Sequence, residues 1–164
     1  MIRIGHGYDL HRLDAFAPAG AGRPLRLGGV EIPSDRGPVS HSDGDALLHA
    51  ITDAILGALG APDIGTLFPD SAAENAGRDS GEFLCEAVRR IAAAGYRLGN
   101  VDATVILERP KLSPHKTHLR ARLAELLGVE PARVNIKGKT HEGVDAVGEG
   151  RAVEVHAVVV IERS

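Results

Sequence analysis

The chain has 164 residues, 43 % hydrophobic, 25 % charged and only 3 % aromatic, with no Trp, one Cys and a formal net charge of -3. That length suits one domain, residues 1–164, able to bury roughly two thirds of the surface its unfolded form exposes. The acidic balance and scarce aromatics exclude a nucleic-acid surface built on basic charge and stacking, and the single Cys85 excludes an intramolecular disulfide, a CxxC redox pair and a multi-cysteine zinc ribbon.

The N-terminus lacks the apolar core of a secretory signal and no run is long enough to cross a bilayer, so a cytoplasmic protein without membrane or nucleic-acid partners is expected. The opening segment reads as a strand over about 2 to 9, and its "GHGYDLHRL" carries Asp9 and His11 two residues apart. Residues i and i+2 of a strand share a face, so this pair is half of a metal site. "RLDAFAPAGAGRPLRLGGVEIP" predicts a mobile loop around 15 to 23, then a short hairpin-like strand pair. "DGDALLHAITDAILGALG" predicts an amphipathic helix over about 44 to 60 with Leu48, Ile51, Ile55 and Leu59 on the apolar stripe. Asp45, His49 and Asp53 fall four apart on another face.

"APDIGTLFPDSAAENAGRDS" reads as a long loop, uncommon in compact domains unless functional. A second helix follows at "DSGEFLCEAVRRIAAAG", with Asp79 and Glu82 as a capping box, Gly95 as its stop and Cys85 as a buried structural thiol. "YRLGNVDATVILER" is strand-like, and "SPHKTHLRARLAELLG" predicts a third helix with Ser113 as N-cap, Pro114 first inside and Gly128 as the stop. Strands over about 133 to 139 and 152 to 162 close the chain. The pattern predicts an α+β fold, a two-layer sandwich of one mixed β-sheet backed by about three helices. "VDATVIL" and "AVVVI" are apolar on both faces, which calls for a cover on the side without helices, such as a symmetric oligomer.

Asp9 and His11 need partners, and His49 is placed to turn toward them. Two imidazoles and a carboxylate with an open fourth position make the usual set for a catalytic zinc, whereas hard cations favour more carboxylates; the same residues also serve as hydrogen-bonded structural groups. In "HSDGD", Ser42, Asp43 and Asp45 either cap the following helix or join His41 in facing a phosphate-like anion. Asp63 and Gly65 of "DIGTLFPD" either shape a turn or receive substrate hydroxyls at a close backbone approach. "ERPKLSPH" is an ordinary connection or, with Lys111, a loop that holds a base or phosphate. "KGKTHEG" is a solvated strand end or a phosphate site whose Glu142 holds magnesium through phosphate oxygens.

Taken together, "GHGYDLHRL", "HSDGDALLHAITDAILGALGAPDIGTLFPD", "GYRLGNVDATVILERPKLSPH" and "VNIKGKTHEG" resemble the 2-C-methyl-D-erythritol 2,4-cyclodiphosphate synthase family, in order and from residue 2 nearly to the C-terminus. The resemblance implies a homotrimer with sheets facing the threefold axis and active sites between subunits. It implies zinc on Asp9, His11 and His49, transition-state support from His41 and Thr140, and magnesium or manganese at the diphosphate on Glu142. Substrate contacts are implied at Asp9, His11, His41, Ser42, Asp63, Ile64, Gly65, Phe68 and Asp70. Across the subunit boundary, Leu107, Pro110, Lys111, Leu112, Ser113, Lys139, Thr140 and Glu142 would hold the cytidine diphosphate part. The implied reaction is ring closure of 4-diphosphocytidyl-2-C-methyl-D-erythritol 2-phosphate with loss of CMP, in non-mevalonate isoprenoid biosynthesis. The chain departs from the family after Glu142: "GVDAVGEGRAVEV" has Glu149 near the usual phosphate-binding arginine, leaving Arg151 as the candidate. Rival readings are a metal-dependent phosphohydrolase and a non-catalytic trimeric metal- or ligand-binding module.

Overall fold

In the computed structural model, which describes residues 1–69, 71, 72, 75 and 77–164, β1 (Ile2–Ala15) leads into a small hairpin of β2 (Arg26–Leu27) and β3 (Val30–Glu31), then β4 (Arg36–Pro38). The helices α1 (Ala46–Leu59), α2 (Ile64–Leu67) and α3 (Ser80–Ala93) precede β5 (Tyr96–Ile106). The chain ends with α4 (Lys116–Leu127), β6 (Val134–Lys139), α5 (Asp145–Gly148) and β7 (Ala152–Arg163). Five strands form one sheet in the order β4-β1-β7-β5-β6; β5 and β6 run parallel and all other neighbours antiparallel. The mixed sheet backed by three main helices is the predicted architecture.

β1 extends well past the predicted boundary because β7 pairs with it as far as Arg12 and β4 takes over from Leu13. The inward side chains of β7, Val153, Val155, Ala157, Val159 and Ile161, are all buried under the helices. α1 is buried nearly all round rather than amphipathic: ten of its fourteen residues are inaccessible, because it packs on β1 and β7 with α3 beside it. Its Leu47, Leu48, Ile51, Ile55 and Leu56 each contribute about 1.5–3 kcal/mol of apolar burial, set against the entropy of ordering them. Asp45 starts the helix by accepting from the Leu48 amide, and Gly60, at φ +78°, ends it.

α1 also comes unusually near β1, and the sequence reading assigned no reason for the glycines that allow this. A Cβ on Gly7 would overlap the Ala50 carbonyl oxygen and stand 2.6 Å from the Ala54 amide nitrogen; one on Gly5 would overlap the Ala54 carbonyl oxygen. The helix answers with the small residues Ala50, Ala54 and Ala58, all buried.

Several local expectations are corrected. Residues after β1 fold back on its end, with Asp14 accepting from the Ala15 and Ala21 amides and Gly22 N donating to Ala15 O. Asp79 caps α3 through the Gly81 amide, but Glu82 pairs with Arg78 at 2.7 Å instead of completing a capping box. Ser113 opens a short 3₁₀ turn, Ser113–His115, with no side-chain cap. Cys85 is exposed, not buried, because the inward face of α3 is carried by Phe83, Leu84, Ala87 and Ile91.

The other sheet face is open in the single chain. Ile2 and Ile4 are each 68 % exposed, and Tyr8, Leu10 and Val158 also present apolar surface. Among the described residues no helix is long and apolar enough to cross a membrane.

Candidate metal and substrate site

Asp9 and His11 project from the helix-covered face of β1, and the glycine-permitted approach of α1 brings His49 over them. Asp9 Oδ2 lies 3.0 Å from His49 Nδ1 and 3.3 Å from His11 Nε2, and the two imidazole nitrogens are 3.2 Å apart. Bonds of about 2.05 Å at tetrahedral angles place ligand atoms about 3.3 Å from one another, so this triangle supplies three ligands at the spacing one small divalent ion requires. It is the group that meets a metal-ligand criterion among the described residues. The second nitrogen of His49, Nε2, is 2.7 Å from Ser80 Oγ and 3.4 Å from Ser42 Oγ. Burial works to depress the His49 imidazole, yet the Asp9 hydrogen bond and the charges of Asp9, Asp45 and Asp43 prevail and hold it above its ordinary value.

A cavity of 180 Å³ opens beside the triangle, lined by Asp9, His11, His49, Ser40, Ser42, Ile64, Gly65, Phe68, Asn75 and Phe83. Its α2 wall is held by Asp53, one helical turn beyond His49, whose carboxylate accepts the Ile64 amide at 2.7 Å. Asp63 caps α2 through the Thr66 amide at 2.7 Å, and these hydrogen bonds hold its exposed carboxyl below the usual range. Phe68 packs on Phe83 with ring centroids 4.5 Å apart, and the Arg78 guanidinium lies over both rings. His41 is exposed and lines neither this cavity nor the next, and its carbonyl accepts from Gly77 N. Asp70 lies outside the described residues.

The other predicted residues form a second group. A cavity of 410 Å³ at the ends of β5 and β6 is lined by Val105, Leu107, Glu108, Lys111, Leu112, Ser113, Gly138, Lys139, Thr140 and Glu142. Leu107 N donates to Lys139 O, which ties its two walls together. Thr140 Oγ1 donates to Glu142 Oε1 at 3.1 Å. Glu142 and Asp145 adopt φ of +52° and +61°, a conformation that non-glycine residues hold only where surroundings impose it; the His141 Nδ1 to Asp145 Oδ2 hydrogen bond of 2.9 Å spans that turn. Pro110 follows a cis bond from Arg109. No residue lines both cavities among the described residues. Arg151 joins neither, and pairs with Glu149 at 2.6 Å.

Size does not identify the site: a cavity larger than either, 710 Å³ between α3, α4 and the start of β5, holds none of the predicted residues. Sequence reasoning missed Ser80, Phe83 and Asn75, and gave no side-chain role to Glu108. The last lines the second cavity, and its Oε2 is buried with no hydrogen-bond partner among the described residues. None of these four carried a local spacing signal, since each meets the site only through tertiary packing.

Comparison with known proteins gives one answer. The model of the YgbB family matches residues 2–162. The 2-C-methyl-D-erythritol 2,4-cyclodiphosphate synthase of Rhodopirellula baltica is 50 % identical over 162 residues, covering 99 % of this chain and 94 % of that protein. The chloroplastic enzyme of the same name from Oryza sativa is 55 % identical over 162 residues, covering 99 % of this chain and 70 % of its own length. Among solved structures, a CDP-bound form of such a synthase is 43 % identical with a TM-score of 0.87, covering 98 % of this chain and 100 % of that one. The bifunctional IspDF of Campylobacter jejuni reaches a TM-score of 0.92 at 35 % identity, covering all of this chain and 43 % of that one.

Proposed function

The chain belongs to the YgbB family, and on that premise we propose that it converts 4-diphosphocytidyl-2-C-methyl-D-erythritol 2-phosphate to 2-C-methyl-D-erythritol 2,4-cyclodiphosphate and CMP. The observation that carries the reading is the triangle of Asp9, His11 and His49, whose spacing suits one tetrahedral ion beside a cavity of 180 Å³. An oxygen of the substrate's own 2-phosphate attacks the β-phosphorus, the bond from that phosphorus to the oxygen bridging the α-phosphate breaks, and CMP departs with the electron pair. No protein nucleophile is needed. The protein folds a flexible polyanion into attack geometry and offsets its charge.

Asp9, His11 and His49 would hold zinc, and Glu142 would hold magnesium or manganese at the diphosphate; cations there would supply charge neutralisation and orientation of the phosphates. Asp63 offers its exposed carboxylate to the methylerythritol hydroxyls, and Gly65 and Ile64 form the wall against which that part lies. Phe68 and Ser42 close the same side. Leu107, Pro110, Lys111, Leu112 and Ser113 hold the cytidine, while Lys139, Thr140 and Glu142 receive the diphosphate. His41 and Thr140 would support the transition state of phosphoryl transfer. Arg151 reaches phosphate only by leaving Glu149.

The two cavities are half-sites, and we assign their union to a homotrimer in which the open apolar sheet faces meet at the axis. Burial of Ile2, Ile4, Tyr8, Leu10 and Val158 supplies the driving force for that assembly.

The test is turnover of the nucleotide substrate with zinc and magnesium, followed by phosphorus NMR. Cyclic diphosphate and CMP are expected from the wild type, and His49→Ala is expected to lose both. Release of inorganic phosphate or a linear product would overturn the reading in favour of a metal-dependent phosphohydrolase.

A further inference from the structure

We infer that Ser80 and Asp43 are positioning residues of the metal site, which hold His49 in the tautomer that leaves Nδ1 free to bind the ion. The inference rests on the metal reading above and concerns groups beyond the three ligands. His49 Nδ1 faces Asp9 and His11, so it is the nitrogen that must offer a lone pair. Nε2, on the opposite side of the ring, is 2.7 Å from Ser80 Oγ. Which of these two atoms donates is decided one bond further out.

Ser80 Oγ makes a short hydrogen bond to Asp43 Oδ1, and Ser80 N donates to Asp43 Oδ2 at 3.0 Å. An ionised carboxylate only accepts, and a serine hydroxyl has one proton to give. The Ser80 proton therefore goes to Asp43, and the hydroxyl meets His49 with a lone pair. Nε2 must carry the proton, and Nδ1 keeps a lone pair for an ion held between it, Asp9 Oδ2 and His11 Nε2. Outer partners of this kind orient ligating imidazoles and raise their basicity. Ser80 is wholly buried at the first position of α3, where its amide has no partner within the helix. Asp43 thus satisfies an otherwise unpaired helix amide with one oxygen and polarises the hydroxyl with the other. Ser42 Oγ, at 3.4 Å from Nε2, is the weaker second acceptor.

A purely structural role, a staple between the "HSDGD" loop and α3, predicts changes in stability alone. The positioning role predicts a change in metal affinity at equal folding, with an order among variants. Ser80→Ala removes the acceptor but keeps the Asp43 bond to the backbone amide and leaves Ser42 as a substitute, so zinc affinity should fall about 10- to 100-fold. Asp43→Asn places an amide group where the carboxylate was, lets the Ser80 hydroxyl accept from it and donate to Nε2, and so favours a proton on Nδ1. Its loss should exceed that of Ser80→Ala.

The experiment is zinc titration of folded apoprotein against a competing chelator for wild type and both variants, with thermal unfolding of each apoprotein alongside. Nitrogen-15 NMR of the zinc-loaded wild type reads the tautomer directly and needs no variant. A protonated Nε2 with metal on Nδ1, and the affinity order wild type, Ser80→Ala, Asp43→Asn, is the expected result. Equal affinities in all three, or ligation through Nε2, would overturn the inference while leaving the metal reading intact. A wild type that binds no zinc would overturn both.

Discussion

Replacing Gly7 by alanine tests whether the approach of α1 to β1 builds the site. The new Cβ would overlap the Ala50 carbonyl oxygen and stand 2.6 Å from the Ala54 nitrogen and 2.9 Å from the Ala50 carbonyl carbon. Comfortable contact begins near 3.5 Å, so the helix must withdraw by at least about 0.9 Å from the Ala54 contact alone. Overpacking of a core costs typically 1–3 kcal/mol, and here the obstacle is helix backbone, which has no alternative rotamer. We expect about 3 kcal/mol of destabilisation, or roughly 6–12 °C in Tm for a chain of this size. His49 directly precedes Ala50, so its Nδ1, now 3.0 Å from Asp9 Oδ2, moves with the helix by several times the roughly 0.2 Å tolerance of a metal site. Zinc affinity should therefore collapse along with stability. Gly57→Ala is the control: its Cβ would meet only His6 O at 3.8 Å, and relief of a mid-helix glycine should stabilise by about 0.5–1 kcal/mol. Thermal unfolding and zinc titration of both variants decide the matter. A Gly7→Ala protein with unchanged Tm and zinc affinity would refute the argument.

Asp45 is buried and receives the amides of Gly28, Gly29 and Leu48, linking the β2–β3 turn to the start of α1; Asp45→Asn turns one acceptor into a donor facing an amide and should cost about 1–3 kcal/mol in urea unfolding, so an unchanged midpoint would contradict the link. Glu86 is held at a pKa of about 2, against 4.5, by hydrogen bonds from Arg89 and then Arg90. A depressed carboxyl stabilises the fold above its unfolded value, so this contribution is present above pH 4.5 and fades as pH falls toward 2. The ion pairs are near the surface, which limits the effect to about 0.5–1 kcal/mol; Glu86→Gln should remove that component from the acid limb of the stability profile, and an identical acid limb would count against it. Ile4→Glu should convert a wild-type trimer to monomers in analytical ultracentrifugation and abolish turnover with both half-sites intact, and a wild-type monomer or a trimeric variant would sink the assembly reading.

The elements were legible where a long segment has one character throughout, as in the apolar, β-branched runs of β5 and β7 and the helical period of α3. They were less so where tertiary pairing extends a segment: the last residues of β1 are strand because β4 and β7 lie beside them, and nothing local says so. The stripe of Leu48, Ile51 and Ile55 correctly announced a helix, but alanines on its remaining faces concealed how fully α1 is buried. Within the site, strand periodicity placed Asp9 and His11 together, and helix periodicity placed His49, Asp53 and Asp45 along one side of α1. Asp53 acts at Ile64 and Asp45 at the glycine turn, both beyond the reach of spacing arguments.

What remained hidden is also what makes the ligand triangle possible. His49 belongs to a helix and Asp9 to a strand, and interdigitated side chains ordinarily fill the space between two packed layers. The pair "GHG" in β1 and the alanines at 50, 54 and 58 remove those side chains at successive turns, so the imidazole reaches the carboxylate without leaving its helix. Glycine and alanine in these positions look like weak structural signals when read along the chain. Across the interface they are complementary surfaces, and the separation they set is the separation a small ion requires.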